Sequence, residues 1–399
     1  MSSFHQSFIP YGRQTITEDD IAAVEEVLRG TFLTQGPAVP AFEQAVAIKV
    51  GARHGVAVNS ATSALHIACL ALGLGPGDRL WTSPITFVAS ANCARYCSAD
   101  VDFVDIEPKT GLMSVKALAA KLEIAERDGL LPKVVVPVHL CGASCDMASI
   151  AALADHYGFA VVEDASHAIG GSYQGEPVGS CSYSAITVFS FHPVKIITTG
   201  EGGLATTNDP HLAQRMAELR SHGITKDVQR FKLPPKGPWS YEQQVLGFNY
   251  RMTDIQAALG LSQLQRLDQT VLERNRQLQR YRDLLIDLPV QLLEVPEYSR
   301  SSVHLGVIRL QQLTSEQHRQ VFEGLRSVGI GVQLHYSPVH LQPYYRSLGF
   351  KEGLFPEAEA YSVSAISLPL FPGLSPIDQQ RVARELAEQL RVVGSEFSR

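Results

Sequence analysis

The sequence predicts an α/β protein with a large, mostly parallel sheet followed by a smaller α+β C-terminal unit. Three observations carry that prediction. Short apolar runs alternate with helical periodicity through the first half, the texture of strands joined by crossover helices. A loop-forming stretch, Leu233-Pro234-Pro235-Lys236-Gly237-Pro238, then interrupts it. Finally, a long amphipathic segment from Thr253 to roughly Leu285 leads into a part with a different element order. Residues 1–252 are expected to form the large unit, and residues 253–399 a connecting helix and the small unit.

The elements follow in order. Thr17-Glu18-Asp19-Asp20 opens a helix with acids in its first turn, and apolar Ile21, Val24, Val27 and Leu28 continue it. Gly55–Val58 reads as a buried strand, after which Asn59-Ser60-Ala61-Thr62-Ser63 starts an apolar helix that ends near Leu72. Further strands are expected at Arg79–Thr82, Val101–Val104, Val134–Val138 and Ala160–Glu163, with helices such as Ser114–Arg127 and Met147–Tyr157 between them. Beyond Pro289, strands are expected over Val303–Leu310 and Gly331–His335 and helices over Ser315–Val328 and Pro376–Val392. The last helix carries Ser375 at its N-cap and Pro376 at its first position.

Composition narrows the class of function. The 399 residues are 45% hydrophobic and 19% charged, a globular balance without a disorder signature. A formal charge of −6 gives no reason to expect a nucleic-acid surface, so a polyanionic ligand would need local cations and helix N-termini. The opening MSSFHQSFIPYGRQ lacks the basic start and apolar core of a secretory leader. No stretch approaches the ~18 uncharged apolar residues of a spanning helix. Six cysteines at irregular spacing, Cys69 to Cys181, suit reduced thiols in a cytoplasmic enzyme.

Four segments offer chemistry. Val161-Val162-Glu163-Asp164-Ala165-Ser166-His167 is an apolar strand ending in an acid, at the edge where open α/β sheets place ligands. A carboxylate there can bind a metal, orient a base or pair with a cationic heterocycle, or simply cap the next turn. Lys195 lies in Phe189-Ser190-Phe191-His192-Pro193-Val194-Lys195-Ile196-Ile197, before a Thr/Gly-rich turn. A lone lysine is by default a solvated surface residue, but these neighbours argue for partial burial and an amine able to act as a nucleophile. Gly200–Gly203 lacks the spacing of a nucleotide phosphate loop. Asn59 to Ser63 at a helix start suits a phosphate monoester or plain capping. Phe87, after a strand, can stack on a planar ring or belong to the core.

Two other segments read as bland. His139-x-Cys141-x3-Cys145 has no fourth zinc ligand nearby and reads as a strand-end loop, so no metal is expected. Asp227, Arg230 and Lys232 read as a loop face.

Taken together and in order, Asp164-Ala165-Ser166-His167-Ala168, Ser190-Phe191-His192-Pro193-Val194-Lys195 and Thr198-Thr199-Gly200-Glu201-Gly202-Gly203 resemble the signatures of a known family. It is the DegT/DnrJ/EryC1 family of sugar-nucleotide aminotransferases. The resemblance runs from Ile9-Pro10-Tyr11-Gly12 through Leu33-Thr34-Gln35-Gly36-Pro37 to Asn249-Tyr250-Arg251-Met252-Thr253-Asp254 and the final helices. It implies the fold of aspartate aminotransferase, fold-type I, with pyridoxal 5′-phosphate (PLP) as cofactor. Lys195 would then carry the cofactor as a Schiff base and shuttle a proton. Asp164 would pair with the pyridine nitrogen. Phe87 would stack on the ring, and His167 would lie near the phenolic oxygen. Ser60, Ala61, Thr62 and Ser190 would hold the phosphate. Asn249 would reach the phosphate of a neighbouring subunit, making a homodimer the minimal active unit.

Within the family, Thr31-Phe32-Leu33-Thr34-Gln35-Gly36, Asn59 to Leu65, Trp81-Thr82-Ser83-Pro84 and Ser190-Phe191-His192 are similar to one subgroup. That subgroup moves an amino group from glutamate to C4 of a UDP-linked 4-keto-6-deoxy-HexNAc. The product is UDP-4-amino-4,6-dideoxy-N-acetyl-β-L-altrosamine, for pseudaminic acid synthesis. Tyr11, Thr31, Phe32, Leu33, Thr34, Ala61, Ser190, Asn249, His335 and Tyr336 would contact the sugar nucleotide. Ser-Phe-His before the lysine also marks a 4-amino-arabinose subgroup. Another keto sugar nucleotide, of 4-keto-arabinose or perosamine type, therefore stays open, as does a non-catalytic PLP-binding regulator. Related dehydratases have histidine in place of the lysine, so Lys195 argues against that chemistry.

Overall fold

The computed structural model describes residues 8–395. Residues 1–7, the start of the segment on which the leader expectation rests, lie outside the described residues. Seven strands form the main sheet: β1 (His54–Val58), β2 (Arg79–Thr82), β3 (Asp100–Phe103), β4 (Val134–Val136), β5 (Ala160–Asp164), β6 (Ile186–Ser190) and β7 (Gly203–Thr207). Their spatial order is β1-β7-β6-β5-β4-β2-β3. Pairing is parallel from β6 to β3, while β7 runs antiparallel to both neighbours. The first five strands lie where the sequence predicts them, within two residues at each end. β6 and β7 are additions, because their apolar runs flank the lysine loop and merge with it in pattern.

Successive residues of β1, β6 and β7 enter different cores, as a period of two requires. Val56, Val58, Val162, Val188 and Ala205 belong to one apolar cluster, and Ala57, Phe189 and Leu204 to another. The sheet is thus buried on both faces, which explains why its strands read as continuous apolar runs. Eight helices accompany it in chain order: α1 (Glu18–Arg29), α2 (Ala38–Val50), α3 (Ala61–Ala71), α4 (Ala89–Tyr96), α5 (Val115–Asp128), α6 (Met147–Tyr157), α7 (Pro210–Arg220) and α8 (Asp254–Gln265). In α1, Asp20 accepts from the Thr17 amide at 2.9 Å, which fixes the start the sequence signals.

Two expectations fail here. The single helix expected from Thr253 to Leu285 is two, α8 and α9 (Leu267–Leu284), broken at Arg266. No proline or glycine marks the break. Arg266 leaves helical geometry while its guanidinium donates to both oxygens of buried Asp20, at 3.2 and 2.7 Å. Among the described residues, the strand expected at Gly331–His335 holds one bridge, Gln333 to Ser367, with a second, Ile9 to Ile330, just before it. Gly331 instead donates its amide to the Ile9 carbonyl at 2.7 Å, and the Ile9 amide donates to the Gly329 carbonyl at 2.9 Å.

A second sheet of three antiparallel strands, in the order β8 (Val290–Leu292), β9 (Gly306–Leu310), β10 (Ala365–Leu368), is covered by α10 (Ser315–Ser327) and α11 (Pro376–Ser395). β9 starts three residues later than expected, because Val303 takes a left-handed φ of 54°. Ser375 caps α11 as the sequence predicts, accepting from the Asp378 amide at 3.0 Å.

Candidate active site

The segments that leave β1, β2, β5 and β6 converge on one cavity of about 820 Å³. β5 and β6 pair in parallel with Asp164 level with Val188, and Ser190 at the end of β6 pairs with Gly203. Gly203 also pairs with Val58, so the loop after β1 is delivered to the same edge. Tyr11, Ser60, Ala61, Thr62, Phe87, Asp164, His167, Ser190, Lys195, His335 and Tyr336 all line this cavity. Sequence reasoning had named each of them.

The loop after β1 becomes the N-terminus of α3. Ser60 is the N-cap, its Oγ accepting from the Ser63 amide at 3.1 Å, and Ser63 Oγ donates to Asn59 Oδ1 at 2.7 Å. Among the described residues, the Ala61 and Thr62 amides have no protein acceptor. Such first-turn amides, at the positive end of an eleven-residue helix, are suited to a phosphate. Gly203 lets β7 pass close: a Cβ there would lie 2.5 Å from the Ala61 nitrogen and the Ser60 carbonyl carbon.

Asp164 ends β5 with only 5% of its surface exposed. Its Oδ1 accepts from the Ser166 amide at 3.0 Å and its Oδ2 from Ser90 Oγ at 2.6 Å. Lys195 sits half-buried on the loop after β6, and among the described residues its amine makes no hydrogen bond or ion pair. Burial lowers its pKa to about 8, against the pull of Asp164 in the other direction. The site therefore pairs a carboxylate held by two donors with an amine that gives up its proton more readily than an ordinary lysine.

Four further groups close the cavity. His167 Nδ1 accepts from the Cys141 amide at 3.3 Å, so its proton sits on Nε2, which faces the Tyr336 hydroxyl at 3.2 Å. Burial, then the nearby charges of Lys195 and His335, hold His167 well below the usual imidazole range. His335 Nδ1 lies 2.8 Å from Ser367 Oγ, and its ring is 5.4 Å from that of Tyr11. Burial holds His335 at about 4.

The sequence reading missed His304 and Ser90. The His304 ring lies 4.4 Å from that of His167, lines the cavity, and leaves its Nδ1 buried without a partner. It sits in a stretch assigned to an apolar strand, so only a histidine among core residues could have flagged it. Ser90 follows Phe87 by three residues and carries no local signal of its own.

Five named residues do not line the cavity. Thr31, Phe32, Leu33, Thr34 and Asn249 are exposed on the single chain. Thr34 bridges Thr253, the Leu33 carbonyl accepts from the Asp254 amide at 3.0 Å, and Asn249 bridges Ser221. The His139–Cys145 segment beneath the site has a different use from metal binding. His139 Nδ1 accepts from the Cys145 amide at 3.1 Å and Nε2 meets Glu163 at 2.7 Å, so both ring nitrogens are engaged. Cys141, with a left-handed φ of 59°, presents its amide to His167 and its carbonyl to the His304 amide.

An amide-lined helix start, an aromatic on the cavity wall, a buried carboxylate and a lysine of lowered pKa fit the phosphate, ring, ring nitrogen and aldehyde of PLP respectively. On this sheet they define a PLP-dependent aminotransferase of fold-type I. Residues 14–387 match the DegT/DnrJ/EryC1/StrS aminotransferase family, and the chain belongs to it. It is 38% identical over 375 residues to the spore coat polysaccharide biosynthesis protein SpsC of Bacillus subtilis, covering 93% of this chain and 94% of that one. Among solved structures it resembles PseC of Helicobacter pylori, an aminotransferase involved in the biosynthesis of pseudoaminic acid, with a TM-score of 0.88 and 31% identity over 97% of this chain and 100% of that one. It also resembles the sugar aminotransferase Spr1654 of Streptococcus pneumoniae in its PMP form, with a TM-score of 0.88 and 29% identity over 96% and 100% of the two chains. The enzyme is accordingly a PLP-dependent sugar aminotransferase.

Proposed function

We propose that the chain transfers an amino group from glutamate to C4 of a UDP-linked 4-keto-6-deoxy-HexNAc, giving UDP-4-amino-4,6-dideoxy-N-acetyl-β-L-altrosamine for pseudaminic acid synthesis. The convergence of Lys195, Asp164 and the Ala61 and Thr62 amides on one cavity carries the transaminase part of this reading. The likeness to PseC supports the choice of sugar. When bound, PLP supplies a carbonyl that captures amines and a ring that takes up carbanion charge. Lys195 Nζ then attaches the cofactor and carries a proton to and from the substrate carbon. Asp164 would accept a hydrogen bond from the ring nitrogen and keep that nitrogen protonated. Phe87 covers one ring face, and His167 faces the phenolic oxygen. Ser60, Ala61, Thr62 and Ser190 hold the phosphate. Tyr11, His335 and Tyr336 border the space left for the sugar.

The active unit in this reading is a homodimer in the cytoplasm. Phe32 and Leu33, and Trp239, Tyr241 and Leu246 on the loop before Asn249, are about half or more exposed (49–82%), apolar side chains that a second copy would cover. Covering them with a second copy would bring Asn249 and the Thr31–Thr34 rim to the neighbour's cavity. All six cysteines are free thiols, in keeping with that compartment. In this reading residues 1–252 hold the cofactor, and residues 253–399 form the connecting helical segment and the smaller unit.

The 38% identity to a spore coat polysaccharide biosynthesis protein supports a second reading, an aminotransferase for another keto sugar nucleotide, for which the sequence leaves 4-keto-arabinose and perosamine types open. Glutamate offered with UDP-linked 4-keto-6-deoxy-HexNAc of the L-arabino and D-xylo series separates the two. Turnover of the L-arabino compound supports the proposal. Turnover of only the D-xylo compound, or of neither while another 4-keto sugar nucleotide reacts, sinks it.

A further inference from the structure

Thr86 lies on the segment that leads from β2 into α4, and Ser90 lies in the first turn of α4. Both are buried, Thr86 at 2% and Ser90 at 0% exposure. Ser90 Oγ is 2.6 Å from Asp164 Oδ2 and 2.7 Å from Thr86 Oγ1. A carboxylate only accepts, so the single Ser90 proton points to Asp164 and Thr86 donates to Ser90. The hydroxyls thus form a directed chain, Thr86 to Ser90 to Asp164. Phe87 lies between the two in sequence and lines the cavity.

We propose that Ser90, backed by Thr86, is a positioning residue that fixes the Asp164 carboxylate toward the cofactor's ring nitrogen. The inference rests on the PLP reading above. Two donors reach Asp164 from different sides, the Ser166 amide on Oδ1 and Ser90 on Oδ2. Two such bonds set the plane of a carboxylate that one bond would leave free to turn about its own axis. A charge-assisted bond of 2.6 Å is short and directional. Lys195 and the Tyr336 phenol share the field of Asp164, and neither hydrogen-bonds it in this structure. The turn after β2 therefore does two tasks at once. It presents Phe87 to a ring face and holds the acid that meets the ring edge.

The experiment compares wild type, Ser90→Ala, Ser90→Thr and Thr86→Val, each stripped of cofactor and titrated with PLP. The dissociation constant and the pH midpoint of the bound chromophore's absorbance are read together. Loss of one bond to a charged group should weaken PLP binding in Ser90→Ala about tenfold. With the carboxylate misaligned, the ring nitrogen holds its proton less well and the conjugated nitrogen at Lys195 becomes more basic, so the midpoint should rise. Ser90→Thr, which restores the hydroxyl, should move both quantities back toward wild type. Thr86→Val keeps the shape, should shift both less, and serves if Ser90→Ala does not fold. A midpoint that fails to rise overturns the proposal, even where affinity falls, because a packing defect alone would do that. Wild type that binds no PLP would instead overturn the reading of the site itself.

Discussion

His167 Nε2 and the Tyr336 hydroxyl stand 3.2 Å apart across the cavity, joining the segment after β5 to the segment that precedes the last strand of the second sheet. The Cys141 amide occupies His167 Nδ1, so the histidine donates and the phenol oxygen accepts. The Tyr336 proton is thereby free to be offered to something else in the cavity. Burial first, and then Asp164, push the phenol far above its ordinary pKa, so it remains a donor through the working range.

That relationship gives the first prediction. Tyr336→Phe should lower kcat/KM for the keto-sugar half-reaction about tenfold, the worth of one hydrogen bond made at the reacting end. PLP affinity and Tm should stay near wild type. Steady-state kinetics with a parallel PLP titration checks both, and an unchanged kcat/KM would remove Tyr336 from the reaction.

Lys195 predicts a pH dependence. Its pKa is lowered from 10.5 to about 8, chiefly by burial, and only the neutral amine attacks a carbonyl. Capture of PLP by the cofactor-free protein should therefore accelerate with pH and level off above about 8. Asp164→Asn removes the charge that opposes the shift, so its plateau should begin at lower pH. The linked stability has a definite sign. The unfolded chain keeps this proton up to its ordinary pKa while the folded chain has released it, so the cofactor-free protein should gain stability as pH rises from about 8 to 10.5. Stopped-flow absorbance and chemical denaturation read the two effects.

Ser60 separates capping from ligand binding. Ser60→Ala removes the acceptor for the Ser63 amide and should cost about 1 kcal/mol of stability. Ser60→Asp keeps the cap and suits the helix dipole, so stability should hold. It also sets a negative charge where the phosphate is to sit, so PLP affinity should fall. Equal PLP affinity in Ser60→Asp and wild type would move the phosphate elsewhere.

Gly203→Ala tests the close approach behind that helix start. The new methyl would meet the Ser60 and Ala61 backbone at 2.5 Å, which a strand and a helix N-terminus cannot both relieve locally. The expected cost is about 1–3 kcal/mol, with weaker PLP binding than wild type. Thermal unfolding with and without PLP measures both.

Much of this was legible in the chain itself. Strands β1 to β5 announced themselves as apolar runs because both faces of the sheet are buried. Ser60, Asp164 and Lys195 were legible because each follows or ends such a run at the ligand-bearing edge. What escaped depends on tertiary contact. The break at Arg266 exists for the sake of buried Asp20, far away in sequence. Gly331 pairs with Ile9 rather than with a neighbouring strand. Ser90 and His304 carry no local pattern, since an i, i+4 hydroxyl pair or a histidine in an apolar stretch gains meaning only from what lies opposite. Thr31 to Thr34 and Asn249 were named from resemblance, and the single chain leaves them exposed.

The attachment of PLP at Lys195 is tested most directly by borohydride reduction of the PLP-loaded protein, followed by peptide mass spectrometry, on wild type and Lys195→Ala. The account predicts a reduced pyridoxyl adduct on the peptide containing Lys195, with its absorbance band, and neither in the variant. An adduct on another lysine, or none in wild type after PLP is added, would contradict it.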